Sequence, residues 1–236
     1  MIGMTYGTIG LIGAMQEEIE LLLGQLQNAE TERHAGITYY KGTLHGRKTV
    51  LCKSGVGKVN AAVCTQALID RFGADAVIFT GVAGAVDPKL NIGDIVISTS
   101  SVQHDMDVTP LGFTRGVIPY QEVSDFPADE RLISLAQEAG EIALPGRCHT
   151  GKVLSGDQFV ADREFVKKLR EELDGACTEM EGAAVAQVCF MNDVPHVIIR
   201  SMSDKADGSA HVNFAEFTVE AANRSFSIVN EMVRKL

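Results

Sequence analysis

The sequence predicts a single α/β domain with a largely parallel or mixed central sheet. Three features predict it. Short runs rich in Val and Ile recur along the chain, each bounded by Gly, Pro or Asp, as buried strands are. Amphipathic stretches alternate with them, the order expected of an α/β domain. No linker-like segment divides the 236 residues, a length that suits one large domain able to bury a sizeable core.

In chain order, the strand expectations are Gly7–Gly13, Thr38–Leu44, Thr49–Ser54, Ala76–Thr80, Asp94–Ser100, Arg147–Leu154, Ala176–Glu179 and His196–Met202. The helix expectations are Met15–Gln25, Lys58–Phe72, Asp129–Ala143, Arg163–Leu173, Gly182–Asn192 and Phe214–Arg234. In the last of these, Phe214, Phe217, Ala221, Ser225, Ile228 and Met232 recur at three and four residues and mark one buried face. Asn213 reads as its N-cap. The stretch Gln103–Phe126 carries Pro110 and Pro119, with Pro127 just beyond, and reads as a long irregular loop. A loop of that length usually serves function or an interface. Residues 1–7 read as an extension before the domain.

The hydrophobic content of 45 % is ordinary for a globular protein. The net charge of −10 argues against nonspecific binding to nucleic acid or an anionic membrane. The first residues, MIGMTYGTIGLIGAM, lack a basic leader and run into Glu17, Glu18 and Glu20, so they read as a buried strand rather than a targeting segment. No apolar run approaches the ~20 residues of a membrane span. The five cysteines are odd in number and form no C-x-x-C pair, which reads as reduced thiols in a cytoplasmic protein.

Several motifs resemble sites and are weighed against plainer readings. SGVGKVN (54–60) lacks the glycine spacing and the Ser or Thr of a phosphate loop, and reads as a turn into a helix. TGVAGA (80–85) lacks the dinucleotide spacing, yet its bare backbone follows a strand, so a ligand contact and a simple turn both stand. HDMD (104–107) has no second His or Cys group and reads as loop bonding rather than a metal site.

The acids are more telling. Glu17 and Glu18 follow the first strand, Glu179 and Glu181 close the strand ending near Thr178, and Asp204 closes VPHVIIRSMS. If these strands run parallel, the acids meet beyond their carboxyl ends, where ligands bind in open α/β sheets. The plain alternative is helix N-termini, where an acid is worth ~0.3–1 kcal/mol. Asp204 resists it, because SDKADG starts no evident helix. Arg200 closes an apolar strand and needs an acidic or anionic partner.

GLIGAMQEEIELL, KSGVGKVNAA, TGVAGA, NIGDIVIS, LSGDQFV, TEMEGAAVAQV and VIIRSMSDKAD resemble, in order and from about Thr8 onward, the motifs of 5′-methylthioadenosine/S-adenosylhomocysteine nucleosidases. These belong to the purine-nucleoside-phosphorylase-like superfamily. The resemblance implies a three-layer fold, with a central twisted mixed sheet flanked by helices on both sides. It implies that Asp204, oriented by Ser203, protonates N7 of adenine, and that Glu18 activates water with Arg200 nearby. Glu181 would hold the ribose hydroxyls and Met180 would pack on the sugar. Phe159 would stack on the base while the Val160 backbone reads its edge. Met15, Val56, Val82, Ala83, Gly84, Glu179 and Phe214 would line the substrate site. Val108, Leu111, Phe113 and Pro119 would complete the 5′-pocket of a partner subunit in a homodimer. No metal or organic cofactor is implied. The substrates would be 5′-methylthioadenosine, S-adenosylhomocysteine and 5′-deoxyadenosine, and the setting methionine salvage.

The turn GAMQEE offers a phosphate dianion no Arg or Lys, and Glu18 there would repel it, so water is the expected nucleophile. A phosphorylase, an aminodeoxyfutalosine nucleosidase and a non-catalytic nucleoside-binding or storage protein are the alternatives. Two departures stand out. Many relatives carry Ser where this chain has Val82, and Leu111 and Phe113 leave the choice of 5′-group open.

Overall fold

The computed structural model describes residues 6–206 and 210–236, with side chains from 214 onward in the second span. Most of the extension over residues 1–7 therefore lies outside the described residues. Ten strands form one mixed sheet. Strand β1 (Ile9–Gly13) lies between two parallel neighbours, β4 (Arg47–Lys53) and β5 (Ala76–Ala85). Outside β4 follow β3 (Ile37–Leu44) and the edge strand β2 (Gln27–His34), both antiparallel. On the other side β5 runs parallel to β10 (His196–Asp204), and β10 runs antiparallel to β6 (Ile95–Gln103). The short β7 (Asp125–Pro127) pairs with β6. Strands β8 (Cys148–Ser155) and β9 (Gly175–Glu179) continue in parallel from β6, and β9 returns antiparallel to the far end of β5. The path β5–β10–β6–β8–β9 thus closes on itself.

Both sheet faces are covered. Val77, Phe79 and Ile198 face a core shared with Cys64 and Leu68 of α2 (Lys58–Asp70) and Val185 of α5 (Gly182–Met191). Ile78, Val197 and Ile199 face the opposite core. There they meet Leu22 of α1 (Gln16–Gln25), Leu132 of α3 (Glu130–Ala143), and Ile228 and Met232 of α6 (Ala210–Lys235). The alternation along β5 and β10 therefore feeds two apolar layers, which is why both strands read as continuous apolar runs. Helix α4 (Arg163–Leu173) packs by Leu169 against a smaller cluster with Val86, Leu154 and Val160. The cysteines are all free, and the thiols of Cys52 and Cys64 lie 3.1 Å apart in the core.

Four differences from the sequence expectation matter. Strand β2 was not expected, because QNAETERH presents no apolar face; the backbone ladder to β3 and the Glu32 pairs with Lys41 and Arg71 hold it. The three-residue β7 was not expected either, being too short to show a period. Strand β5 runs five residues past Thr80, so TGVAGA is strand rather than turn, because β10 and β9 offer it partners on both edges. Helix α6 includes Asn213 within its span, so the helix does not begin there; the Asn213 side chain lies outside the described ones.

Candidate active site

The carboxyl ends of β1, β5 and β10 open into a cavity of about 300 Å³. Its walls are Ala14, Met15 and Glu18 after β1, Val56 before α2, and Val82–Gly84 in β5. Gln158–Val160 after β8, Thr178–Glu181, Ser203 and Asp204 in β10, and Phe214 of α6 complete it. The acids expected at strand ends do meet there. The parallel arrangement behind that expectation holds for β1, β5 and β10 but fails for β9, which is antiparallel to β5. Glu179 and Glu181 reach the cavity because the end of β5 pairs with β9, Gly84 opposite Thr178.

Glu18 is buried and held entirely by backbone donors. Its Oε2 accepts from the amides of Ala14 (2.6 Å) and Met15 (2.9 Å), and its Oε1 from Val82 (3.0 Å). The bond to Met15 is the capping bond a helix N-terminus explains. The bond across to β5 is not, so Glu18 does more than cap. Burial pushes its carboxyl above the usual range, outweighing the Arg200 charge and the three amides. Glu17, its neighbour, is exposed and lines no part of the cavity.

Asp204, at the end of β10, is registered on Gly84, two residues past Val82 on β5, through a bulge that follows Met202. Such a bulge re-aims a side chain. Its Oδ1 accepts from the Ala206 amide (2.7 Å) and its Oδ2 from Ser203 Oγ (2.9 Å). Two glycines make this crowding possible. A Cβ on Gly84 would lie 2.7 Å from Asp204 Oδ1, and one on Gly81 would lie 2.5 Å from Glu18 Oε1 and collide with Arg200 Nη1.

Arg200 is 0 % exposed, with its guanidinium 3.9 Å from the centre of the Phe79 ring. Its Nη2 pairs with Glu179 and lies 3.8 Å from Glu181. Glu179 also accepts from Ser155 Oγ, from the Gly182 amide (2.8 and 2.9 Å) and from the Glu181 amide (3.2 Å). Its oxygens thus tie Arg200, β8 and the start of α5 together. Glu181 is freer: it accepts from the Gly57 amide at 2.8 Å. Burial, and next the Glu179 charge, push its carboxyl up to about 8. Three buried carboxylates, Glu18, Glu179 and Glu181, share this one guanidinium. One cation thus faces three carboxyl groups, two of which burial holds above their ordinary range. Arg200→Met leaves them without a cation, and removing one partner of a buried pair costs about 3–5 kcal/mol. The expected outcome is a lower denaturant midpoint at unchanged slope.

At the rim, Phe159 is 50 % exposed and meets Phe214 edge-on, centroids 5.7 Å apart. Val82 packs on Ala221 and Ala222 of α6.

The Phosphorylase superfamily profile matches residues 8–234. A 5′-methylthioadenosine/S-adenosylhomocysteine nucleosidase of Anoxybacillus flavithermus is 43 % identical over 97 % of this chain and 98 % of its own length. The chain belongs to the phosphorylase superfamily, among the methylthioadenosine/S-adenosylhomocysteine nucleosidases. The Neisseria meningitidis nucleosidase, solved in complex with methylthio-immucillin-A, superposes with a TM-score of 0.94 at 41 % identity, covering 98 % of this chain and 100 % of that one. The Helicobacter pylori futalosine hydrolase superposes at 0.93 with 34 % identity, covering 97 % and 98 %.

Of the residues the resemblance assigns to catalysis or substrate, Met15, Glu18, Val56, Val82, Ala83, Gly84, Phe159, Val160, Glu179, Met180, Glu181, Ser203, Asp204 and Phe214 line one cavity. Arg200 stands behind its wall. Val108, Leu111, Phe113 and Pro119 do not line the cavity of their own chain, and Leu111 is 72 % exposed. Ala14, Gln158 and Thr178 line it and were missed. Gln158 was within reach, lying beside Phe159 in LSGDQFV; Ala14 and Thr178 carry no chemical signal. The HDMD cluster braces loops: Asp105 bonds Lys58, Asp107 pairs with Arg115, and the His104 ring packs edge-on to Phe165. The turn at Gly57–Lys58 spends its amides on Glu181 and Asp157, as a turn rather than a phosphate loop would.

Proposed function

We infer that this protein hydrolyses the N-glycosidic bond of 5′-methylthioadenosine, S-adenosylhomocysteine and 5′-deoxyadenosine, releasing adenine and the 5-substituted ribose. The observation that carries this is that Glu18, from α1, and Asp204, from β10, are both anchored on β5 beside one cavity. Glu18 accepts from the amide of Val82, and Asp204 is registered on Gly84, two residues further along β5. Both line the same cavity, so a base and an acid can act on one glycosidic bond there. Asp204, steadied by Ser203, gives a proton to N7 and makes adenine a better leaving group. Glu18 takes a proton from the attacking water, with Arg200 beside it, and the fixed geometry supplies the entropic advantage. The carboxylates stabilise the oxocarbenium-like sugar. Glu181 holds the ribose hydroxyls, whose donation favours its charged form; Met180 packs on the sugar. Phe159 stacks on the base, and the Val160 backbone reads its edge. Glu179 acts through Arg200 and the start of α5. Each step uses side chains and water, so no metal or organic cofactor is called for.

Water rather than phosphate is the nucleophile, because three carboxyl groups surround the only buried guanidinium among the described residues and the amides of Ala14, Met15 and Val82 are already given to Glu18. The test is adenine release from 5′-methylthioadenosine with and without inorganic phosphate. Equal rates with free thioribose are expected. Release only with phosphate, with a sugar phosphate formed, identifies a phosphorylase. The likeness to a futalosine hydrolase makes aminodeoxyfutalosine the second nucleoside to assay.

The working unit is a homodimer in which Val108, Leu111, Phe113 and Pro119 of each copy close the 5′-pocket of the other. Val56 at the cavity rim continues into Val59 and Val63 on the outer face of α2, with Val59 74 % exposed, an apolar stripe suited to a second copy. We place the enzyme in the cytoplasm, in methionine salvage. No described helix is long and apolar enough to cross a membrane.

A further inference from the structure

Two of the segments that carry cavity residues, the start of α2 and the exit of β8, are tied to each other and to the exit of β6 by one small network. Lys58 Nζ donates to Asp105 Oδ1 at 2.6 Å and to Gln103 Oε1 at 2.9 Å. The Asp157 amide donates to Asp105 Oδ2 at 3.0 Å. The Lys58 amide donates to Asp157 Oδ1 at 2.8 Å, which closes a ring: Lys58 side chain, Asp105, Asp157 backbone, Asp157 side chain, Lys58 backbone. Its corners sit at the start of α2, just past β6 and just past β8. From one corner, the adjacent Gly57 amide holds Glu181. From another, the chain passes straight into Gln158, Phe159 and Val160. Gly57 also suits its corner: its φ is +99°, and a Cβ there would lie a tight 3.2 Å from Asp157 Oδ1.

We propose that Asp105 is a positioning residue that sets the separation between the sugar-holding carboxylate Glu181 and the base-binding wall Phe159–Val160, acting through Lys58 and Asp157. It touches no cavity atom itself. The inference rests on the functional reading above for what the two walls hold, and on the hydrogen-bonded ring for the coupling between them.

The physical case is that two loop exits in an α/β sheet are independent unless something bridges them. Here the bridge is charge-assisted at both carboxylate oxygens, the stronger class of hydrogen bond. Burial alone would raise the Asp105 carboxyl, but Lys58 and the Asp157 amide outweigh it, so it stays charged and below the ordinary range. The pair is only partly exposed, with side chains 17 % and 25 % accessible for Lys58 and Asp105, which limits screening. A displacement of about 1 Å between a holding group and a reacting group costs roughly 10²-fold in rate.

The test compares wild type with Asp105→Ala, Asp105→Asn, Lys58→Met and Lys58→Met/Asp105→Ala, with rates normalised to folded protein. Asp105→Ala is expected to raise KM for 5′-methylthioadenosine and lower kcat/KM by roughly 10–10²-fold. Asp105→Asn, which keeps an acceptor, should recover part of the loss. The double variant should be no worse than the poorer single variant, since both break one ring. Amide exchange supplies a readout independent of turnover. In Asp105→Ala the Gly57 and Lys58 amides, which Asp105 does not touch, should exchange at least tenfold faster. Unchanged KM, a loss of kcat alone in proportion to unfolded protein, additive effects in the double variant, or unchanged exchange at Gly57 and Lys58 would each overturn the proposal. If wild type releases no adenine, the functional reading fails, and the exchange measurement still decides whether the ring couples the two loops.

Discussion

Asp204→Asn is expected to lower kcat by roughly 10²–10⁴-fold, the range general acid catalysis supplies. Asparagine has nearly the same shape, and its amide oxygen can still accept from Ala206. It has no acidic proton to give to N7, so adenine must depart unassisted. The cavity keeps Phe159, Val160 and Phe214, so binding of an adenine nucleoside should survive within about tenfold. The check is turnover by chromatographic adenine release, paired with calorimetric binding to the same variant. Wild-type-like turnover would remove Asp204 from the acid role. Loss of binding together with turnover would mean that the side chain chiefly shapes the site.

Glu18→Gln is expected to abolish hydrolysis to a similar degree, and for a different reason. A glutamine cannot take the proton from water. It also fits the pocket badly, because the carboxylate accepts three amides through two oxygens. The side-chain NH2 must face at least one N–H donor, leaving a buried donor unmade at about 1–3 kcal/mol. Stability must therefore be measured beside activity, and rates referred to folded protein. Substantial remaining hydrolysis would shift the base to another group. The pH profile gives an independent view. Burial raises the Glu18 carboxyl above its ordinary value of 4.5, so the base is lost as pH falls through that raised value. The acid limb of kcat/KM should lie above pH 4.5 in wild type, and an acid limb at or below it would argue against a desolvated base.

Much of this site was legible because chemistry at strand ends is written locally. Glu18, Glu181 and Asp204 stand out as acids abutting apolar strands, and Arg200 as a cation inside one. Their types and neighbours suggested the chemistry, and the ordered motifs named the relatives. The Asp105 ring was not legible, since HDMD offers one histidine and two acids in a loop and the partners of Asp105 lie 47 and 52 residues away. Edge strand β2 was equally silent, because hydrogen bonding to a neighbour leaves no mark on an all-polar segment.

The chain alone gives away the α/β class, six helices and eight of the strands, because burial on both sheet faces leaves short continuous apolar runs and burial on one helix face imposes a period. It also determined which acids were available. The tertiary structure alone decided that β9 runs against β5, and that β5 continues through TGVAGA to meet it. It decided too that Glu179 is spent on Arg200 while Glu181 faces the cavity. Strand direction and the sharing of one guanidinium depend on contacts between segments far apart in the chain, and no local spacing of residues encodes those.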